Sequence, residues 1–518
     1  MERRTFLKAG LALAGSAAGA FLVRGAEAAL SAGTASRLEA LAKRLRGEVV
    51  FAGDPRYAML GQPWNAEFAA VRPAAVVLAA DENDVAAALA LARDEGLPFV
   101  ARNGGHSFAG FSATEGMVID VRALNAVTVD PAAETATVGA GQTNLPLYEA
   151  LWPHRKVVPA GTCPTVGVTG LVLGGGIGRL SPLYGLTSDN LLGVRMVTAE
   201  GRIMTANADE HPDLLWACRG GGGGNFGIVT ELTFRLRPVD MPFTVTTYSF
   251  AWPSALKVLR AFQAWSANRP PGSHGDMQLV TGTPADGARI DVEISWAGEP
   301  ERGRTIARDF VAATGADPVK TDEDTGAFLS TERDWICAGL RADECGFAGL
   351  TPNGKLNRYA LSAKSDFVFA PWPDDGLAPL IEAIERRQAD RALTPTDFHG
   401  DTDVGKVLIE VCGGAIDDTA PDATAFAHRG ALYLTQYQSR WRPNAGAAVV
   451  EANVAWLREM YDAVAAHRSG ASYVNYADAD LTDWGRAYYG ANLDRLRQIK
   501  GRIDPDNVFR FPQSIPPA

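Results

Sequence analysis

The sequence predicts an α+β protein in two parts, and three features carry that expectation. A β-α-β unit stands early in the chain, the texture changes near residue 240 to longer strands with helices between them, and glycine gathers in clusters rather than spreading. The 518 residues are 47% hydrophobic and 21% charged, ordinary globular proportions that exclude wholesale disorder and a multispan membrane protein. The length allows two to four domains at about 150 residues each. Acidic residues outnumber basic ones by 60 to 49, and no Lys/Arg run forms a phosphate-binding stripe, so a nucleic-acid partner is not expected.

Residues 1–28 read as a targeting segment rather than part of the fold. Arg3-Arg4-Thr5-Phe6-Leu7-Lys8 is a twin-arginine pattern, and Ala26-Glu27-Ala28 suits signal peptidase. The apolar stretch between them, from residue 9 to 23, contains Gly10, Gly15 and Gly19. It is too short and too weak for a bilayer, which needs roughly 20 apolar residues. The pattern predicts export to the periplasm or beyond, transient contact with the twin-arginine machinery and no stable membrane anchor. Because that pathway carries folded proteins, often with a cofactor already inserted, it also predicts a cofactor.

The elements then follow in order. Residues 75–79 read as a strand, and Asp81-Glu82-Asn83-Asp84 offers a cap to a helix with Val85, Leu89 and Ala92 at helical spacing. Gly96 and Pro98 close that helix and Phe99-Val100-Ala101 opens the next strand. Further strands are expected at 117–121, 135–138 and 193–198. From about 240 to 450, Trp and Phe become prominent and helices such as 377–387 intervene, which reads as a mixed α+β domain. Residues 451–500 are helical with an interruption near 470–482, and 502–514 form a tail. The five cysteines are Cys163, Cys218, Cys337, Cys345 and Cys412. The odd count leaves at least one thiol outside any disulfide, and Cys337 and Cys345 are spaced for a short-loop bridge. With no C-x-x-C, no H-E-x-x-H and no close His pair, no metal site is expected.

Four segments carry chemistry. Arg102-Asn103-Gly104-Gly105-His106-Ser107 ends the β-α-β unit, where glycines can turn backbone N–H groups toward an anion. A tight turn with a satisfied His is the plain alternative, and the nucleophile-elbow match fails at its fifth position, Ala109. Gly161-Thr162-Cys163-Pro164-Thr165-Val166-Gly167-Val168-Thr169-Gly170 continues to Gly174-Gly175-Gly176-Ile177-Gly178. Its last glycine comes one residue early for a dinucleotide fingerprint, leaving a nearly side-chain-free backbone that can lie against a large planar or phosphorylated ligand. The third runs from Trp216 through the glycines at 220–224 to Asn225-Phe226-Gly227-Ile228-Val229-Thr230, with a flexible linker as its alternative. In the fourth, Tyr473-Val474-Asn475-Tyr476, alternation puts Tyr473 and Asn475 on one face of a strand, and core tyrosines are the alternative.

Taken in order, these four segments, Glu410 to Gly414 and the C-terminal run resemble the berberine-bridge-enzyme-like flavin oxidases, a branch of the vanillyl-alcohol oxidase and para-cresol methylhydroxylase (PCMH) superfamily. The C-terminal run is the most specific: Tyr488-Tyr489-Gly490, Leu493, Leu496, Lys500 and Asp504-Pro505-Asp506-Asn507-Val508-Phe509. The resemblance implies a two-part PCMH-type FAD-binding domain over 38–237, a substrate domain with a large antiparallel sheet flanked by helices over 238–455, and a segment at 456–518 that returns to the FAD domain. It also implies bicovalent FAD, with His106 bonded to the flavin 8α-methyl and Cys163 to C6. Around them the implied cofactor site takes in Arg102, Asn103, Gly104, Gly105 and Ser107, then Gly161, Thr162, Thr165, Val166, Gly167 and Gly170. Gly174, Gly175, Gly178, Gly227, Ile228, Val229, Tyr473 and Asn475 complete it.

An alcohol-oxidising flavoenzyme transfers a hydride to flavin N5 while a protein base takes the hydroxyl proton. The resemblance implies Tyr476 as that base with Glu410 assisting, although a phenol with an ordinary pKa near 10 needs help in that role. Ile177 departs from the aromatic residue that many plant relatives carry there. Val166, small and β-branched, resembles members that use oxygen. The expected activity is oxidation of a sugar hemiacetal or carbinol to a lactone or carbonyl, with O2 reduced to H2O2. Oxidative tailoring of a polyketide- or glycoside-type natural product is the alternative. Trp252, Trp265, Trp296, Trp335, Trp372 and Trp441 could stack on sugars, with most of them expected in the core.

Overall fold

A computed structural model describes residues 31–395, 397 and 403–518, so the targeting segment at 1–28 lies outside the described residues. The described residues build an α+β fold of three sheets and a short two-stranded ribbon. The first sheet holds β1 (Glu48–Val50), β2 (Ala75–Leu78), β3 (Phe99–Arg102) and β4 (Met117–Asp120) in the order β1-β2-β4-β3. The β-α-β unit forms as expected. Asp81 caps helix Glu82–Asp94 by accepting from the backbone N–H groups of Asn83 and Asp84, and β4 inserts in parallel between β2 and β3.

The second sheet, all antiparallel, pairs β5 (Val127–Asp130), β6 (Thr135–Gly139), β8 (Leu191–Val197), β9 (Ile203–Ala206) and β10 (Ile228–Arg235). The ribbon consists of β7 (Lys156–Val157) and β11 (Arg237–Pro238). One apolar core joins both sheets to helices Pro212–Cys218 and Leu493–Ile503. The C-terminal segment thus packs with the first half of the chain. Lys500 fixes it there, donating from a fully buried Nζ to the carbonyls of Asn225 and Phe509 and to Asp504 at 2.6–2.7 Å.

The third sheet has seven antiparallel strands: β12 (Pro242–Ala251), β13 (His274–Val280), β14 (Arg289–Ala297), β15 (Lys320–Ala327), β16 (Ala360–Val368), β17 (Gly405–Val411) and β18 (Tyr433–Trp441). Their order is β15-β12-β14-β13-β17-β18-β16. Alternation divides each central strand between two faces. Met277, Leu279, Val407, Ile409, Val411, Tyr433 and Tyr437 pack against helices Ala255–Asn268, Pro300–Thr314, Asp374–Ala389 and Ala447–Ala463. The last of these helices runs unbroken across residues 455 and 456, the expected boundary between substrate domain and C-terminal segment.

Tyr473–Tyr476 differs from the expected strand. Residues Val474–Tyr476 form a single 3-10 turn, closed by the Tyr476 N–H on the Tyr473 carbonyl at 2.8 Å. The cause is tertiary: the Tyr473 hydroxyl accepts from the N–H of Gly176, and Asn475 Nδ2 donates to Leu171 O and to that same hydroxyl. Both side chains are drawn to the glycine run, and alternation stops there. Cys337 and Cys345 form a disulfide with Cα atoms 5.4 Å apart, while Cys218 and Cys412 are buried thiols.

Candidate active site

A cavity of about 470 Å³ lies between the glycine-rich segments of the first half and the polar face of the seven-stranded sheet. The glycine segments form a wall because their backbones touch. A Cβ on Gly104 would meet the Gly167 nitrogen and the Thr165 oxygen, each at 2.6 Å, so only glycine lets these two loops close on one another. That approach brings His106 and Cys163 to the same cavity. His106 Nε2 pairs with Thr165 Oγ1 at 2.9 Å, and its ring stacks on Trp64 with centroids 4.6 Å apart. Burial, and secondly the charge of Arg358, pushes the His106 pKa down to about 3, so the ring is neutral. Cys163 is exposed to the cavity, and the surrounding protein raises its thiol pKa.

Most residues expected in the site line this cavity. They comprise residues 102–107, 161–163, 166, 167, 170, 227–229, 475 and 476, together with Glu410. Five expected residues do not, and the structure corrects them to a supporting position. Thr165 bonds to His106 from behind, Gly174 abuts the Asn475 side chain and Gly175 lies on Phe426. Gly178 lies on the Ala160 carbonyl, and Tyr473 holds the Gly176 N–H. Of the six tryptophans considered, Trp335 alone reaches the cavity. Trp372 and Trp441 are buried, and Trp252, Trp265 and Trp296 pack on the core.

The sequence reading missed the roof. His274, Asp276 and Gln278 on β13, Lys406, Leu408 and Glu410 on β17, and Gln436, Gln438 and Arg440 on β18 all line the cavity. Their period of two was visible in the sequence, but nothing in it says whether such a face meets solvent or a cavity. Trp64 was also missed, lying far ahead of the motif whose His it covers. Ile177 lines the cavity beside these groups.

Glu410 sits opposite Asp276 in register, and Asp276 opposite Glu293. Burial, then repulsion from Glu293, raises Glu410 to about 7 against the opposing pull of Arg179. Asp276 is pushed well above the usual carboxylate range, first by burial and then by Glu293. Tyr476 stacks on Phe108 at 5.4 Å. Its phenol is held well above 10 by burial and next by Glu410, so it stays protonated. Among the described residues, His274, Asp276 and Glu293 bring ligand-type atoms within 4.8 Å of one another. Both Glu293 oxygens, however, accept from Arg179, which also meets Glu332 at 2.7 Å, so a guanidinium already serves these carboxylates.

Residues 73–207 match the family described as FAD binding domain, and 472–516 the family described as Berberine and berberine like. The chain is 32% identical over 490 residues to the uncharacterized FAD-linked oxidoreductase YvdP of Bacillus subtilis (strain 168), covering 92% of this chain and 99% of that one. Physcomitrella patens BBE-like 1 superposes with a TM-score of 0.80 at 29% identity, over 92% of this chain and 99% of its own. Xylooligosaccharide oxidase from Myceliophthora thermophila C1, solved with xylobiose, gives a TM-score of 0.78 at 25% identity, over 93% and 99%. The cavity fits FAD. A Cβ added to Gly170 would enter open space, so the cavity keeps a slot there that no side chain fills. Buried Asn103 Oδ1 and Asn144 Oδ1, on residues lining that slot, have no partner within the protein. The motifs, the fold and the relatives agree: the chain belongs to the berberine-bridge-enzyme-like family of FAD-linked oxidoreductases.

Proposed function

We propose that the chain is an exported FAD-dependent oxidase that converts a sugar hemiacetal or carbinol to a lactone or carbonyl. In this reading FAD is held by two covalent bonds, through His106 to its 8α-methyl and through Cys163 to C6. The observation that carries the reading is a single cavity bordered by both tethering candidates, by Glu410 and by Tyr476. His106 Nε2 is engaged by Thr165, while its Nδ1 has no hydrogen bond among the described residues, which suits a ring that forms a bond of its own. The bound flavin supplies a hydride acceptor that O2 reoxidises with release of H2O2.

The chain's own residues handle the proton. Glu410, with a pKa near 7, is ionised in a large fraction of molecules at neutral pH and accepts the hydroxyl proton. Tyr476 keeps its proton and donates a hydrogen bond to the reacting oxygen, the reverse of the division expected from sequence. The choice of a sugar draws on the 25% identical xylooligosaccharide oxidase, and the choice of O2 on the small Val166 side chain at the cavity. Export rests on the twin-arginine pattern at residues 3 and 4.

Acid denaturation followed by the spectrum and intact mass of the polypeptide tests the cofactor assignment. A yellow chain carrying one FAD is expected, with the label retained in His106→Ala and Cys163→Ala singly and lost in the double variant. A colourless chain at apoprotein mass, from folded and flavin-supplied protein, removes both bonds from the proposal. Peroxide release on a panel of reducing oligosaccharides then tests the activity.

A further inference from the structure

The roof carries two cations that make no salt bridge among the described residues. Lys406 on β17 stands opposite Gln438 on β18, and Arg440 follows two residues later on the same face of β18. Cross-strand diagonal neighbours of this kind lie about 7–8 Å apart. Both side chains line the cavity. Neither forms a salt bridge with a described carboxylate, unlike Arg179, Arg429 and Lys364. Arg102 and Arg387 also lack one, but their guanidiniums are spent on protein carbonyls and side chains. Arg440 is held in place, with Nε and Nη2 donating to Gln438 Oε1 at 3.1 and 2.9 Å and the guanidinium over the Tyr359 ring at 4.3 Å. Lys406 makes no hydrogen bond among the described residues and is half-buried, so its ammonium meets the cavity.

Unpaired charge in a cavity with restricted access to water is costly, and a site that keeps two like charges together gains most from an anion. Burial, and next the neighbouring Arg440, pulls the Lys406 pKa down to about 7, against weaker opposing pulls from Cys163 and Asp276 that do not amount to a contact ion pair. The position also sets a length. Lys406 and Glu410 are four residues apart on one strand face, roughly 13 Å at the strand rise. That exceeds one sugar ring, so an anion held at Lys406 belongs to a ring other than the one oxidised near Glu410.

We propose that Lys406 and Arg440 form a subsite for the carboxylate of an acidic oligosaccharide, a uronic-acid-bearing chain whose reducing-end hydroxyl is presented to Glu410. The proposal rests on the oxidase reading above and deepens it by naming the substrate class. Its test compares 1,4-linked digalacturonate with neutral 1,4-linked galactobiose on the flavin-loaded protein, read as peroxide release and as binding by calorimetry. The expected result is a kcat/KM at least about tenfold higher for the uronate, expressed mainly in KM. That ratio should collapse in Lys406→Met and return in Lys406→Arg, the charge-preserving variant.

Equal use of the two sugars, or a preference that Lys406→Met leaves intact, overturns the acidic subsite and leaves the oxidase reading standing. If neither sugar is oxidised, calorimetry separates the two ideas. Digalacturonate that binds the wild type and not Lys406→Met sustains the anion subsite even if the oligosaccharide panel sinks the oxidase reading, and digalacturonate that binds neither protein overturns the subsite.

Discussion

In the proposed reaction Glu410 is the base, and its environment sets a direction for the pH dependence. A base must be deprotonated to act, and burial with Glu293 raises this carboxyl to about 7. The predicted kcat/KM therefore rises as pH passes upward through about 7 and levels off above it. Glu410→Gln should lose a factor of about 10²–10⁴ while its flavin spectrum is unchanged. Tyr476→Phe should cost less, because the phenol donates a proton-bearing bond and never gives the proton up. Steady-state rates across pH for the three proteins decide it: abolition in Tyr476→Phe beside a mild effect in Glu410→Gln returns the base to the tyrosine. At this scale a motif that fixes spacing was enough to pick out His106, Cys163, Glu410 and Tyr476, all of which line the cavity. Lys406, Gln436 and Arg440 were illegible because a polar alternation looks the same over water as over a cavity.

The glycine segments do different work at different positions, although as elements they look alike in the sequence. Gly170 sits in helix Val168–Leu173, where glycine is about 1 kcal/mol worse than alanine, and nothing lies within 4 Å of an added Cβ. Gly170→Ala is expected to leave the apoprotein as stable or slightly more so and to lower its flavin content, because the new methyl enters the slot. Gly178→Ala should instead weaken the fold by about 1–3 kcal/mol, since its Cβ would come within 2.0 Å of the Ala160 carbonyl oxygen. Thermal unfolding beside flavin content separates the two, and equal loading of Gly170→Ala and wild type would remove Gly170 from the cofactor slot. Local signals carried the elements that local chemistry decides, such as the capped helix Glu82–Asp94 and the strands around it. They failed at Tyr473–Tyr476, where bonds to a loop nearly 300 residues away bend the chain. Lys320–Ala327 carried no local signal: it is a highly charged strand that pairs with β12 at the sheet edge.

The two halves of the molecule are joined across the site by a buried ion triad, and its charge should be felt by Glu410. Arg179, directly after the glycine run, reaches Glu293 on β14 and Glu332 in helix Phe328–Ile336, and Trp335 covers it at 3.8 Å. All three ionic side chains are essentially excluded from solvent. Arg179→Met would strand two carboxylates, a loss of about 3–5 kcal/mol for a broken buried pair. Stranded acids have folded pKa values above their unfolded ones, so the variant's deficit should be largest at neutral pH and shrink as pH falls and the acids take up protons. Adding Glu293→Gln and Glu332→Gln to Arg179→Met should recover much of the loss. Arg179 also pulls the Glu410 pKa down while Glu293 pushes it up. Removing the arginine alone should therefore move the rising limb of the pH–rate profile to higher pH, and removing all three charges should move it back. Unfolding curves at neutral and mildly acid pH, with pH–rate profiles of the same variants, test both consequences. A pH-independent deficit, or a profile that stays in place, would mean that the triad only holds the halves together and has no electrical link to the base.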